Sequence, residues 1–222
     1  MVEAHSRDRI RIGVLSLQGD FAEHIGVLES CGYQNLEVRT ALDLEASDAL
    51  VIPGGESTTM LKLIDRVGLR EPLTKRIKAG MPAFGTCAGA IVLASEVSDG
   101  EAPLAAADID IQRNAYGRQT QSFEADLDVP ALGRTVRAVF IRAPIISRAG
   151  ADTEVLAGWE GHPVLVRHGR ILAATFHPEL AGDPGLHRYF VEQICTEEVF
   201  APGPEPSDSP ADSVLNEAMA GR

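Results

Sequence analysis

The chain has 222 residues, 45% of them hydrophobic, which is enough for one compact domain with a sizeable core and too little for a second full one. Twenty Lys and Arg stand against 32 Asp and Glu, a formal net charge of −12. That balance excludes a nucleic-acid backbone or an anionic membrane as the natural partner, since both require basic surface.

The polar start, "MVEAHSRDR", has no apolar stretch, so residues 1–9 read as an N-terminal extension without a signal peptide. "IRIGVLSLQGD" then predicts a buried strand from Ile10 to Leu17, with Asp20 capping the helix "FAEHIGVLESCG" that stops at Gly32. "NLEVR" predicts a second strand. Ala49 to Ile52 predict a third, broken by Pro53-Gly54-Gly55, after which Ser57 or Thr58 opens a helix. A short helix is expected over about Pro72 to Lys78, then a fourth strand in "MPAFGT" and a helix in "AGAIVLASE". Strands alternating with helices, several of them continuously apolar, indicate a parallel sheet covered on both faces.

The second half is β-rich. "DIDIQRN", "QTQSFEADLDV", "TVRAVFIRAP", "TEVLAGWEG", "HPVLVRHG" and "RILAATFH" are expected to extend the sheet with antiparallel or mixed strands. "PGLHRYFVEQICTEEVF" predicts a final helix. The Pro-, Ser- and acid-rich residues 201–222 predict a disordered tail, so the folded domain is expected over 10–200. Cys31, Cys87 and Cys195 are odd in number and far apart, which suits a reducing compartment better than a disulfide framework. No apolar run reaches the ~18 residues of a membrane span, and a cytoplasmic protein is expected.

One thiol stands apart. In Gly85-Thr86-Cys87-Ala88-Gly89 a cysteine lies between glycines at a strand-to-helix turn, the elbow usually written G-x-S-x-G. Glycines give room for crowded backbone, and the start of a helix favours a thiolate. The alternative is a small buried hydrophobe, which is how Cys31 and Cys195, in amphipathic helices, are read. Ninety positions on, His177 follows an apolar strand that should end at the same sheet edge. Glu179 lies two residues later, facing the same way in extended chain, with Pro178 fixing the step. Nucleophile, base and orienting carboxylate form a triad. His5, His24, His162, His168 and His187 have no such setting and no metal-ligand spacing, so neither metal nor cofactor is expected. "PGGEST" offers backbone N–H groups for an oxyanion, though it also reads as an ordinary βα turn or a weak phosphate cradle.

Cys87 between its glycines, with His177-Pro178-Glu179 downstream, resembles the triad of class I glutamine amidotransferases. "GVLSLQGDFAEH", "PGGESTTM", "QRNAYGRQ", "SFEADL", "FIRAP" and "FHPEL", in that order, narrow the likeness to the family of glutaminase subunits of pyridoxal 5′-phosphate synthase. It covers roughly Ile10 to Val199. The resemblance implies an α/β, flavodoxin-like three-layer fold with a central, mostly parallel sheet and added antiparallel strands. It implies that Cys87 attacks L-glutamine, His177 serves as base and then acid, and Glu179 orients His177. Gly54, Gly55, Glu56, Arg113, Ile141 and Arg142 match its glutamine-binding positions, and Gln18 matches a position at the synthase interface that helps complete the oxyanion hole. Read without the family, Arg113 and Arg142 are surface charges and Gln18 a polar turn residue. The implied partner is the TIM-barrel synthase subunit, in a large hetero-oligomer, receiving ammonia for vitamin B6 synthesis. Ala115 and Tyr116 are small departures from the family pattern. Glutaminase subunits of other synthases, such as the histidine-pathway one, share the triad but not "QRNAYGRQ" or "SFEADL". A DJ-1-like cysteine hydrolase would place its base close to the nucleophile, and a non-catalytic regulatory subunit would not need the triad.

Overall fold

Five short apolar stretches build the centre of the molecule. β1 (Ile12–Leu15), β3 (Ala49–Ile52), β4 (Ala83–Thr86) and β12 (Ile171–Ala174) are buried along their whole length, as strands must be when both sheet faces are covered. With β2 (Asn35–Val38) they lie parallel, in the order β2-β1-β3-β4-β12. This is the flavodoxin-like strand order. β11 (His162–His168) and β10 (Thr153–Trp159) continue the sheet antiparallel beyond β12, making seven strands. The structure is a computed structural model that describes residues 10–113 and 122–197. The N-terminal extension, the acidic tail, Ala115 and Tyr116 lie outside the described residues.

Helices cover both faces. α1 (Phe21–Ser30) covers one, through Leu28, with α6 (Gly185–Tyr189) and the π-helical turn Phe190–Ile194 that continues it. α2 (Ala41–Glu45), α3 (Ser57–Arg66), α4 (Arg70–Lys78) and α5 (Ala88–Leu93) cover the other through Leu44, Met60, Leu73 and Val92. α2 is absent from the sequence reading, although Thr40 and Asp43 form a full capping box there.

The β-rich half differs from expectation. Only β10–β12 join the main sheet. β5 (Glu96–Val97), β6 (Ile109–Gln112) and β9 (Ile145–Ala149) form a separate three-stranded sheet, and β7 (Phe123–Val129) pairs only with β8 (Arg134–Phe140). Strict alternation along β7 and β8 exposes one face and buries Leu127, Val136 and Phe140 against the α1 side, so this hairpin packs on the main sheet as a layer. The helix after β4 ends at Leu93, because Ser95 N–H turns to the Ile109 carbonyl of the small sheet.

Close packing at the β4–α5 junction depends on Gly89. A Cβ there would strike the carbonyl oxygen of Ile52 on β3. Gly89→Ala is therefore expected to push α5 off the sheet, costing about 1–3 kcal/mol and lowering Tm by several degrees in thermal unfolding. An unchanged Tm would show that the helix has room to move.

Candidate active site

The turn after β4 lifts Cys87 above the sheet edge. Its backbone is at φ 47°, ψ −101°, a region rarely adopted by side-chain-bearing residues and costing of order 1–3 kcal/mol. Neighbours hold it there: Cys87 N–H donates to Ala174 O at 2.8 Å, and Ile91 N–H donates to Cys87 O. A Cβ on Gly85 would lie 2.6 Å from Gly89 backbone, so the glycines on both sides are sterically required. The elbow expected from the sequence is thus present, with its strain.

β12 lies beside β4 in parallel register, Ala174 opposite Thr86, so the chain leaving β12 emerges next to the thiol. Three residues on, His177 is 3% exposed. Its Nδ1 bonds Glu179 Oε1 at 2.8 Å, and the ring lines the same cavity as Cys87. The His177–Glu179 pairing does not come from extended chain. Pro178–Leu180 is a 3₁₀ turn with Pro178 in its first position, and that turn folds the carboxylate back onto the ring.

Charge is concentrated here. Burial alone would push the His177 pKa down, but hydrogen bonds and charge at Cys87 and Glu179 outweigh it and raise it to about 10. Burial would raise Glu179, yet its bond to His177 and the nearby His24 ring hold the carboxyl well below the usual carboxylate range. Asp20 contributes a second carboxylate, 3.4 Å from His177 Nδ1. It occupies the N-cap position of α1 but makes no cap bond, contrary to expectation, because the side chain turns toward the imidazole. Its own pKa is raised, chiefly by burial. Among the described residues, Asp20, His177 and Glu179 bring donor atoms within 4.8 Å of one another, with the imidazole Nδ1 bonded to Glu179.

The cavity over the thiol has a volume of about 380 Å³ and is lined by Gly55, Glu56, Arg113, Ile141 and Arg142 as well as Cys87 and His177. The remaining expected residues lie just behind. Gly54 underlies the base: a Cβ there would collide with Cε1 of His177 and lie 2.7 Å from its Nδ1. Gln18 Oε1 accepts from Glu56 N–H at 3.0 Å, and Asp20 N–H donates to Gly54 O, so the β1–α1 turn clasps the "PGGEST" loop. Glu56, rather than Ser57 or Thr58, caps α3, accepting from the N–H groups of Thr58 and Thr59. Hydrogen bonding from Thr59, first by its side chain and then by its N–H, lowers the Glu56 pKa. Arg113 is not a free surface charge. It donates to Thr58 Oγ1 and Asp99 O and lies 3.4 Å from Glu56 Oε1. Arg142 is exposed, with its backbone at φ 45°. Ile141 offers its carbonyl to the Cys87 thiol at 3.9 Å.

Sequence reading missed a layer behind the triad. His24 and His187 are wholly buried, with His24 Nδ1 2.9 Å from His187 Nε2. The available signal was the inward stripe His24–Leu28, one turn apart on α1. Ser57, in the first turn of α3, also lines the cavity. Burial pushes the Cys195 thiol up to about 12, too high for a nucleophile.

A strained cysteine and a carboxylate-bonded imidazole lining one cavity, at the carboxyl ends of parallel strands, form an arrangement that can support nucleophilic catalysis. The family model of the SNO glutamine amidotransferase family matches residues 14–196, and the chain belongs to that family. It is 54% identical over 186 residues to "Pyridoxal 5′-phosphate synthase subunit PdxT" of Pelotomaculum thermopropionicum, covering 83% of this chain and 95% of that protein. It is 46% identical to the protein of the same name from Thermotoga neapolitana, covering 83% of this chain and all of that one. A crystal structure of a glutamine amidotransferase superposes with a TM-score of 0.79 at 48% identity, over 83% of this chain and 98% of that one. A glutamine amidotransferase from Thermotoga maritima, at TM-score 0.56 and 11% identity over 85% of this chain and 99% of that one, shares the fold. Among the described residues no helix is long and apolar enough to cross a membrane.

Burial lowers the His187 pKa to about 3, whereas an unfolded histidine titrates near 6.5. Between those values the unfolded chain takes up a proton that the folded chain refuses. Stability from this group is complete above about pH 6.5 and is lost as pH falls toward 3. Thermal unfolding between about pH 7.5 and about pH 5 should show Tm falling with acid, with a shallower slope in His187→Leu. Equal slopes would mean that His187 is protonated in the fold.

Proposed function

We propose that this chain is the glutaminase subunit of a pyridoxal 5′-phosphate synthase, hydrolysing L-glutamine to L-glutamate and ammonia. The observation that carries the reading is the His177–Glu179 pair next to a cavity that Cys87 and His177 share with Gly55, Glu56, Arg113, Ile141 and Arg142. The Cys87 thiolate adds to the side-chain amide carbon of glutamine. His177 gives its proton to the departing nitrogen, which leaves as ammonia, and a γ-glutamyl thioester remains. His177, now neutral, takes a proton from water as the water attacks the thioester. Glutamate departs, and the sulfur returns to its partnership with the imidazole.

Gly54, Gly55, Glu56, Arg113, Ile141 and Arg142 hold the substrate. The guanidinium of Arg113 or Arg142 suits the substrate carboxylate. The backbone N–H of Ala88, immediately after the nucleophile, and one from the Gly54–Gly55 segment serve the oxyanion. Gln18, clasped to that loop, lies where docking of a TIM-barrel synthase subunit can adjust it, and a hetero-oligomer with an internal path keeps ammonia from solvent. The active unit is the domain over residues 10–200, in the cytoplasm. The likeness to the PdxT proteins supports this reading over the glutaminases of other synthases.

Ammonia release from glutamine by the purified full-length chain tests the reading. It should be slow alone and faster with the cognate synthase subunit, and Cys87→Ala should lose a factor on the order of 10⁴ or more. Retained hydrolysis in that variant would remove the mechanism. Gly54→Ala should also lose nearly all turnover while remaining folded, because the added methyl displaces His177.

A further inference from the structure

The triad carboxylate is itself held from behind. Glu179 Oε1 is used by His177, but Oε2 is buried and has no hydrogen bond of full geometry. His24 Nε2 lies 3.4 Å from it. The same nitrogen is 3.0 Å from Thr86 Oγ1, on the residue that precedes the nucleophile. A carboxylate oxygen only accepts, so a useful contact requires the proton on His24 Nε2. The other ring nitrogen, Nδ1, faces His187 Nε2 at 2.9 Å. When His187 donates there, a neutral His24 has its single proton on Nε2, which bonds Thr86 Oγ1 at 3.0 Å and lies 3.4 Å from Glu179 Oε2. Among the described residues the second nitrogen of His187 is buried without a partner, which fits a bare lone pair better than a stranded N–H. Phe84 on β4 packs edge-on against both rings, at centroid separations of 6.3 and 5.6 Å, and fixes their planes.

We propose that His24 is a positioning residue for the triad, holding the outer oxygen of Glu179 through an Nε2–H that His187 keeps on that nitrogen. The charged and titratable groups around the histidine pair are Glu179 and Asp20 toward the site and Asp183, paired with Arg134, toward the C-terminal helix. His24 does not line the substrate cavity, so it acts on turnover and not on glutamine binding. Without its proton, Glu179 has one buried oxygen unsupported, and the carboxylate holds the imidazolium of His177 less firmly.

The test compares His24→Leu, His24→Gln and His24→Asn in the full-length chain, each also in a Glu179→Gln background. The readouts are the titration midpoint of the His177 ring by NMR and kcat and KM for glutamine with the synthase subunit. His24→Leu should lower the His177 midpoint by about one unit and kcat about 10- to 100-fold, with KM within about twofold. His24→Gln places an amide N–H near the lost Nε2–H and should recover most of both. His24→Asn is too short to reach Glu179 and should behave like leucine, which keeps the comparison available if the leucine variant does not fold. In the Glu179→Gln background the His24 variants should add nothing further. An unchanged His177 midpoint in folded His24→Leu or His24→Asn, equal loss in the glutamine variant, or full additivity with Glu179→Gln would each overturn the proposal. Its kinetic arm rests on the glutaminase reading. If the wild-type chain releases no ammonia but the midpoints move as stated, the substrate assignment fails and the positioning role of His24 stands.

Discussion

The molecule is organised around one unfavourable backbone conformation. Cys87 occupies a left-handed turn that a side-chain-bearing residue avoids, and the fold supplies what keeps it there. β4 is pinned between β3 and β12, α5 packs directly on β3 through Gly89, and the Cys87 amide is bonded to Ala174 at the end of β12. The last of these is also the link that brings the base within reach, because the chain leaving Ala174 reaches His177 after two residues. Strain at Cys87 and placement of His177 thus arise from one junction of two parallel strands.

Electrostatics complete what geometry begins. Three acidic or basic groups, His177, Glu179 and Asp20, lie together at the sheet edge, two of them largely shielded from water. Burial penalises every charge in that group when taken singly, yet the imidazolium and the carboxylates favour one another's charged forms. The result is a base set far above ordinary histidine and a carboxylate set far below ordinary glutamate, a separation typical of sites that move protons. His24 and His187 extend this arrangement inward. They are polar groups in a core position, and such groups persist only when hydrogen-bonded.

Much of this was legible in the residues. Continuous apolar strands announced the parallel sheet, and the glycines around Cys87 announced the elbow, because both features are local and leave their mark in spacing. The pairing of His177 with Glu179 was foreseen for a partly wrong reason, since the contact comes from a 3₁₀ turn at Pro178 and not from strand alternation. Other parts depend on contacts between segments far apart in sequence. Asp20 looked like a helix cap because its position is one, and only the approach of β12 shows why its side chain turns away. His24 and His187 are 163 positions apart, and nothing local marks them as partners. β6 and the β7–β8 hairpin are expected from the sequence to extend the main sheet, and β5 and β9 are not marked as strands at all, since alternation identifies a strand but not its neighbour.

The central claim is that the Cys87 sulfur and the His177 ring cooperate on an amide carbon above this strand junction. Crystals of the full-length chain with its synthase subunit, soaked in L-glutamine and cooled during turnover, test it most directly. The expected result is continuous density from Sγ of Cys87 to the γ-carbon of a glutamyl group, with the His177 ring beside the vacated amine position. Intact glutamine bound away from the sulfur, with the His177 ring turned from Cys87, would contradict it.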